Sequence, residues 1–372
     1  MQFIDLAAQQ LKIRTHIDSA IKKVLDHGKY IMGPEVNELE EKLADYVGVK
    51  HCISCANGTD ALQLALMAKG IGPGDLVFAP SFTFFATAEV IALVGATAVF
   101  VDIDEATYNL CPQKLEQAIA AHQDSNLGSA KAIIAVDLFG QPANYPEIER
   151  IAKANNLYLI EDAAQGFGGE IHGRKACSFG NVATTSFFPA KPLGCYGDGG
   201  AIFTNDDELA NLLKSLRIHG KGVDKYDNIR VGLNSRLDTI QAAILLGKFS
   251  IFPEEVELRN AVANAYSEVL SDQCIVPLVS EGNVSSWAQY TVRHRTLPRE
   301  TILAGLKIKN IPSAIYYPVG IHHSGAFKDK ESGKVSLKIT DKVQEEVFSL
   351  PMHPYLTEKH ISEVANTIKS IC

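Results

Sequence analysis

The sequence predicts an α/β protein whose central, mostly parallel sheet is covered by helices on both faces. Three observations carry this. Short β-rich runs recur between about residues 50 and 205, helical patterns stand between several of them, and the runs are close to continuously apolar rather than alternating. In chain order, helical residues 59–69 present Leu62, Leu64, Ala65 and Met67 among small and polar neighbours. Strand-like runs follow at 97–103 and 131–137, then a helical pattern at 145–154, then further runs at 157–161 and 182–187. After a helix-like stretch at 237–249 the alternation fades. A charged helical segment at 254–270 then mixes with strand-like residues near 289–294 and 314–317, which predicts a smaller α+β domain over 250–372 beside a large domain over 1–249. Residues 329–338, rich in Lys, Glu, Ser and Gly, read as an exposed loop.

Composition excludes several classes. A hydrophobic fraction of 46%, a charged fraction of 21% and a mean hydropathy of +0.02 are those of a globular chain, not a disordered or membrane one. The longest apolar stretch, residues 90–101, is interrupted by Gly95 and falls short of the ~20 residues that span a bilayer. Net charge is −8 with no dense Lys/Arg run, so no basic stripe offers itself to a nucleic-acid backbone. Seven cysteines, an odd number in a long chain, favour reduced thiols. With the absence of basic and apolar signal-peptide regions in the first residues, they lead to an expected cytoplasmic location.

Parallel sheets bind ligands beyond the carboxyl ends of their strands, so the residues there matter most. Asp162 closes the run that contains Leu157, Tyr158, Leu159 and Ile160. Lys191 follows Ser186-Phe187-Phe188-Pro189-Ala190 and precedes a glycine-rich turn, which puts it on a loop. An acid, a hydroxyl and an amine so placed suit pyridoxal phosphate: a carboxylate keeps the pyridine nitrogen protonated, an amine bonds the aldehyde, and polar groups hold the phosphate. Ser54 to Asp60 joins a strand to a helix and offers N–H groups to an anion. Each residue also has a plainer role. Asp162 suits a cap for a helix beginning near Ala163, with Gln165 completing a capping box; Ser186 and Thr59 suit caps as well.

Competing cofactors are less well served. Gly166-Phe167-Gly168-Gly169 and the glycines from 194 to 200 do not form G-x-G-x-x-G at a helix start, and no G-x-x-x-x-G-K-[ST] occurs. Cys52 and Cys55 lack a second pair at ligand spacing and, three apart on a strand, face opposite sides. His322-His323, His219 and His353 carry no carboxylate at regular spacing, and the adjacent pair is expected to be solvated. No metal site is expected.

Six ordered segments resemble the DegT/DnrJ/EryC1/StrS aminotransferase family. They are Gly33-Pro34-Glu35, Asn57-Gly58-Thr59-Asp60-Ala61-Leu62, Pro80-Ser81-Phe82-Thr83-Phe84, Glu161-Asp162-Ala163-Ala164-Gln165, Ser186 through Lys191, and Gly197-Asp198-Gly199-Gly200. The resemblance runs from Phe3 through Pro354. It implies the type I, aspartate-aminotransferase-like fold and a homodimer with shared active sites. Lys191 would hold the cofactor and move protons, Asp162 would pair with the pyridinium nitrogen, Gln165 would bond the ring hydroxyl, and Phe84 would stack on the ring. Gly58, Thr59 and Ser186 would bind the phosphate. The segment Gly232 to Asp238 resembles the family's interface stretch, so Asn234 would reach the neighbouring subunit's cofactor phosphate and Arg236 would face substrate.

Closer resemblance to part of the family implies transfer of an amino group from L-glutamate to the 3-keto carbon of a UDP-linked 2-acetamido-2-deoxy-3-oxo-glucuronate, toward a diamino sugar of a surface polysaccharide. A 4-keto sugar is the alternative within the family. A sugar dehydratase would carry histidine at Lys191, and a non-catalytic nucleotide-sugar sensor would not need the intact site. Tyr316, followed by Tyr317 and Pro318, stands where those relatives usually have histidine, so the substrate-facing side chain offers a neutral hydroxyl.

Overall fold

The computed structural model describes residues 1–122, 127–224 and 226–371. Strands β1 (His51–Cys55), β2 (Asp75–Pro80), β3 (Thr97–Val101), β4 (Ser129–Val136) and β5 (Tyr158–Asp162) build most of the main sheet. After a small hairpin of β6 (Glu170–Ile171) and β7 (Arg174–Lys175), β8 (Val182–Ser186) and β9 (Gly200–Thr204) complete it in the order β1-β9-β8-β5-β4-β2-β3. Only β9 runs against the other six strands. The mostly parallel sheet expected from the apolar runs is therefore present.

Alternate residues of each strand enter different cores, as a pleat requires. Ile53, Cys55, Val77 and Ala79 pack under the helices Gly58–Lys69, Ala86–Leu93 and Asp207–Leu216. Cys52, Ala183, Ala201 and Phe203 face the other way, onto Pro34–Val47 and Thr239–Phe249, while Leu76, Phe78, Ile133 and Ala135 meet Pro112–His122 and Tyr145–Ala154. Cys52 and Cys55 thus lie on opposite faces. Burial pushes the Cys55 thiol up to about 12 and the Cys52 thiol well above its ordinary value, so neither is a ready metal or redox ligand. No disulfide joins the described cysteines.

A second, antiparallel sheet holds β10 (Cys274–Ile275), β12 (Tyr290–His294) and β13 (Val347–Leu350), and β11 (Asn283–Val284) adds to the small hairpin. A separate core, with Tyr266, Tyr290, Phe348 and Ile361, joins this sheet to the helices Phe252–Leu270, Arg299–Ile308 and Glu358–Ile371. The first of these helices gives Phe252 and Val256 to the large core and Val262 onward to the small one. Residues 314–317 differ from the expected strand: Ala314 makes a single bridge to Ser349. Pro312 and Pro318 bound the segment, and its tyrosine rings pack into an aromatic cluster instead of a ladder. Among the described residues, no helix is long and apolar enough to cross a membrane.

Candidate active site

Strands β1, β2, β3, β4, β5 and β8 all end at the same edge of the sheet, and the residues that follow them converge there. Gly200 at the start of the reversed strand pairs with both Cys55 and Ser186, which sets the turn after β1 level with the end of β8. Gly58 and Ser186 are consequently in close contact. A Cβ on Gly58 would stand 2.7 Å from Ser186 Cβ, so only glycine lets the two segments meet. Asn57 caps the helix Gly58–Lys69 by accepting the Asp60 N–H at 2.8 Å. The helix therefore starts, with the N–H groups of Gly58 and Thr59 in its first turn, where Gly58 packs on Ser186, and its positive end suits an anion.

Asp162, only 5% exposed, is the acid of the site. Its Oδ2 accepts from Thr87 Oγ1 at 3.0 Å and its Oδ1 from the Ala164 N–H at 3.2 Å. Burial pushes its pKa up, while those two hydrogen bonds and the charge of Lys191 hold it down. A buried carboxylate held this way is matched by a ring N–H⁺. The helix expected to begin near Ala163 is absent; residues 163–167 form turns, and Asp162 binds the next N–H but one within them. The turn keeps Gly166 against Asp137, where a Cβ would come within 2.3 Å of the carboxylate oxygen.

Lys191 lies on the loop between β8 and β9, with its N–H bonded to the Phe188 carbonyl. As a residue it is partly exposed, yet its amine is surrounded by protein. Desolvation lowers its pKa and the negative charge of Asp162 works against that lowering. A lowered pKa increases the share of neutral, nucleophilic amine.

Gln165 is held at both ends: its Oε1 accepts the Phe139 N–H at 2.8 Å and its Nε2 donates to the Tyr317 hydroxyl at 3.0 Å. The second amide hydrogen remains for a ring oxygen. Phe84 is 56% exposed and its ring centroid is 6.3 Å from that of Tyr317, so one face is open to a planar group. Tyr316 rests on Phe3 at 6.3 Å and on Tyr317 at 5.8 Å. The segment bearing Asn234 and Arg236 is tied to the turn after β1, because Ser235 Oγ accepts the Ala56 N–H at 3.1 Å. Asn234 itself is exposed and Arg236 partly so.

Sequence reading missed several members of this edge. Thr83 and Thr87 are linked hydroxyl to hydroxyl at 3.3 Å and lead to Asp162; their spacing of four residues, beginning inside the Pro80 to Phe84 segment, was the available signal. His322 also departs from expectation. It is fully buried, its Nδ1 lies 2.7 Å from Ser81 Oγ, and Asp341 accompanies both it and His323. Asp341 is 19 residues from His322 and 18 from His323 in sequence, so no local spacing reveals it. A cavity of 410 Å³ beside Asn109, Gln141, His172 and Asn283 contains neither the amine nor the acid and is not this site.

A mostly parallel sheet with an amine, a buried acid and a helix N-terminus at its carboxyl edge is the architecture of the aspartate-aminotransferase fold. The chain belongs to the DegT/DnrJ/EryC1/StrS aminotransferase family, whose model matches residues 11–369. It is 53% identical over 357 residues to the UDP-2-acetamido-2-deoxy-3-oxo-D-glucuronate aminotransferase of Pseudomonas aeruginosa, covering 96% of each chain. A crystal structure of a family aminotransferase from Brucella abortus matches with TM-score 0.97 and 51% identity, over 100% of this chain and 99% of that one. NtdA of Bacillus subtilis with bound cofactor PMP matches with TM-score 0.88 and 29% identity, over 97% of this chain and 82% of that one.

Proposed function

We propose that this enzyme uses pyridoxal phosphate to move the amino group of L-glutamate onto the C3 keto carbon of UDP-2-acetamido-2-deoxy-3-oxo-D-glucuronate. The observation that carries the proposal is the buried Asp162 set against the desolvated amine of Lys191, with the helix start at Gly58 and Thr59 packed against Ser186. When bound, the cofactor supplies an aldehyde that accepts nitrogen and a ring that absorbs negative charge. Asp162 would keep the ring nitrogen protonated. Lys191 Nζ would hold the cofactor and take up or deliver the proton at the nitrogen-bearing carbon of the substrate. Gln165 would donate to the ring hydroxyl, Phe84 would cover a ring face, and Gly58, Thr59 and Ser186 would hold the phosphate.

The choice of sugar rests on the Pseudomonas aeruginosa relative. Arg236 offers a planar fork for a carboxylate or diphosphate, and Tyr316 and Tyr317 line the substrate side with neutral hydroxyls. The protein works as a homodimer in which Asn234 reaches the partner's phosphate. Val223 and Val231, 94% and 86% exposed on the arm leading to Asn234, are apolar surface that such a partner would cover. Residues 1–249 and 250–372 act as its large and small domains. A cytoplasmic location suits a chain in which no disulfide is formed among the described cysteines.

Steady-state kinetics with glutamate and four UDP sugars, 3-keto or 4-keto and with or without the C6 carboxylate, test the substrate. The 3-keto acid is expected to give the highest kcat/KM by at least about tenfold, a margin of ~1.4 kcal/mol. Preference for a 4-keto sugar would overturn the assignment.

A further inference from the structure

The segment 317–341 is strapped across the carboxyl ends of three strands. Gln165 after β5 holds Tyr317, Ser81 after β2 holds His322, and Asp102 after β3 accepts the Ile339 and Thr340 N–H groups and the Thr340 hydroxyl at 2.8–2.9 Å. His322 and His323 form a short 3-10 turn, and Asp341 lies on the helix Lys338–Glu346. Both imidazoles turn Nε2 to one oxygen, Asp341 Oδ1, at 3.1 Å from His322 and 2.8 Å from His323, with ring centroids 3.9 Å apart.

We propose that His322, His323 and Asp341 form a site for one divalent transition-metal ion of the zinc type. Two imidazole nitrogens and a carboxylate oxygen are a donor set that zinc accepts, with water in the fourth position. Metal bonds of ~2.0–2.1 Å at tetrahedral angles separate ligand atoms by about 3.3 Å. The observed 2.8 and 3.1 Å are therefore close to that spacing, and all three donor atoms fit within 4.8 Å. The site is also built from behind. Ser81 Oγ accepts the His322 N–H at 3.1 Å and meets Nδ1 at 2.7 Å, so the buried ring is fixed with Nε2 outward, as a ligating histidine requires. His323, with its side chain 48% exposed, and Asp341 at 37% leave an entry path from solvent. The ion pins the 3-10 turn to the helix and, through Ser81, to the turn that carries Phe84.

Isothermal titration of chelator-treated protein with Zn²⁺ tests this without reference to catalysis. One site per chain is expected, and His323→Ala at an exposed position and Asp341→Asn at a partly exposed one should each weaken it by about tenfold or more. Their melting temperatures without metal should stay close to that of the parent chain, while added Zn²⁺ raises only the parent's. Absence of saturable binding, or binding unchanged in both variants, would leave the cluster as an ion pair alone and overturn the proposal.

Discussion

Asp162 does not stand alone among acids at the end of β5. Glu161 beside it is fully buried and accepts the Cys177 and Phe179 N–H groups, each at 2.7 Å. Asp137, also fully buried, accepts from Tyr145 Oη and the Ala143 N–H through Oδ1, while its Oδ2 meets no N–H or O–H donor and faces the Glu161 carboxyl. Burial raises both pKa values; the charge of Asp137 adds to the rise at Glu161, while the hydrogen bond with Glu161 works against the rise at Asp137, and a proton shared between the two satisfies the orphaned oxygen. The sign of the pH effect follows. Above the ordinary carboxylate range the folded chain keeps a proton that the unfolded chain has released, so this pair's contribution is full at low pH and is lost as pH rises. Asp137→Asn supplies a permanent donor to Glu161. Its melting temperature, measured against the parent chain from about pH 5 to about pH 8, should gain on the parent as pH increases; parallel curves would refute the shared proton. Asp162 is legible in the sequence and the roles of Asp137 and Glu161 are not, because those two meet only through the pairing of β4 with β5.

At the level of elements, regular periodic segments were the legible ones. The helix Tyr145–Ala154 and the strand Val182–Ser186 fall on or within a residue of expectation, since burial on one helix stripe or on both sheet faces leaves its period in the sequence. Residues 163–167 and 314–317 were misread because what shapes them is distant: Asp137 beneath Gly166, and the rings of Phe82 and Phe84 around Tyr317. The proposed phosphate site at Gly58 and Ser186 depends on such a distant contact too. Gly58→Ala would force a methyl group against Ser186 and displace the start of the helix, a cost of about 1–3 kcal/mol. Cofactor affinity, read by equilibrium titration of the apoenzyme with pyridoxal phosphate, should fall by roughly tenfold to hundredfold. An unchanged affinity would place the phosphate elsewhere.

For the whole molecule, the open edge near Phe84, Phe188 and Asn234 makes sense if a second copy completes each site. Phe188 is 52% exposed beside the loop of Lys191. Mixing two inactive variants, Lys191→Ala and Asn234→Ala, after reversible dissociation should restore activity. Random pairing makes half of the dimers mixed, and one of the two sites in each is intact, so about one quarter of parental activity is expected. Recovery of none would mean that each chain supplies its own site in full. The account as a whole depends on one covalent link. Borohydride treatment of the enzyme reconstituted with pyridoxal phosphate, followed by peptide mapping, should find the cofactor's mass on the peptide containing Lys191 and on no other. A reconstituted enzyme that stays unlabelled, or that is labelled at a different lysine, would contradict it.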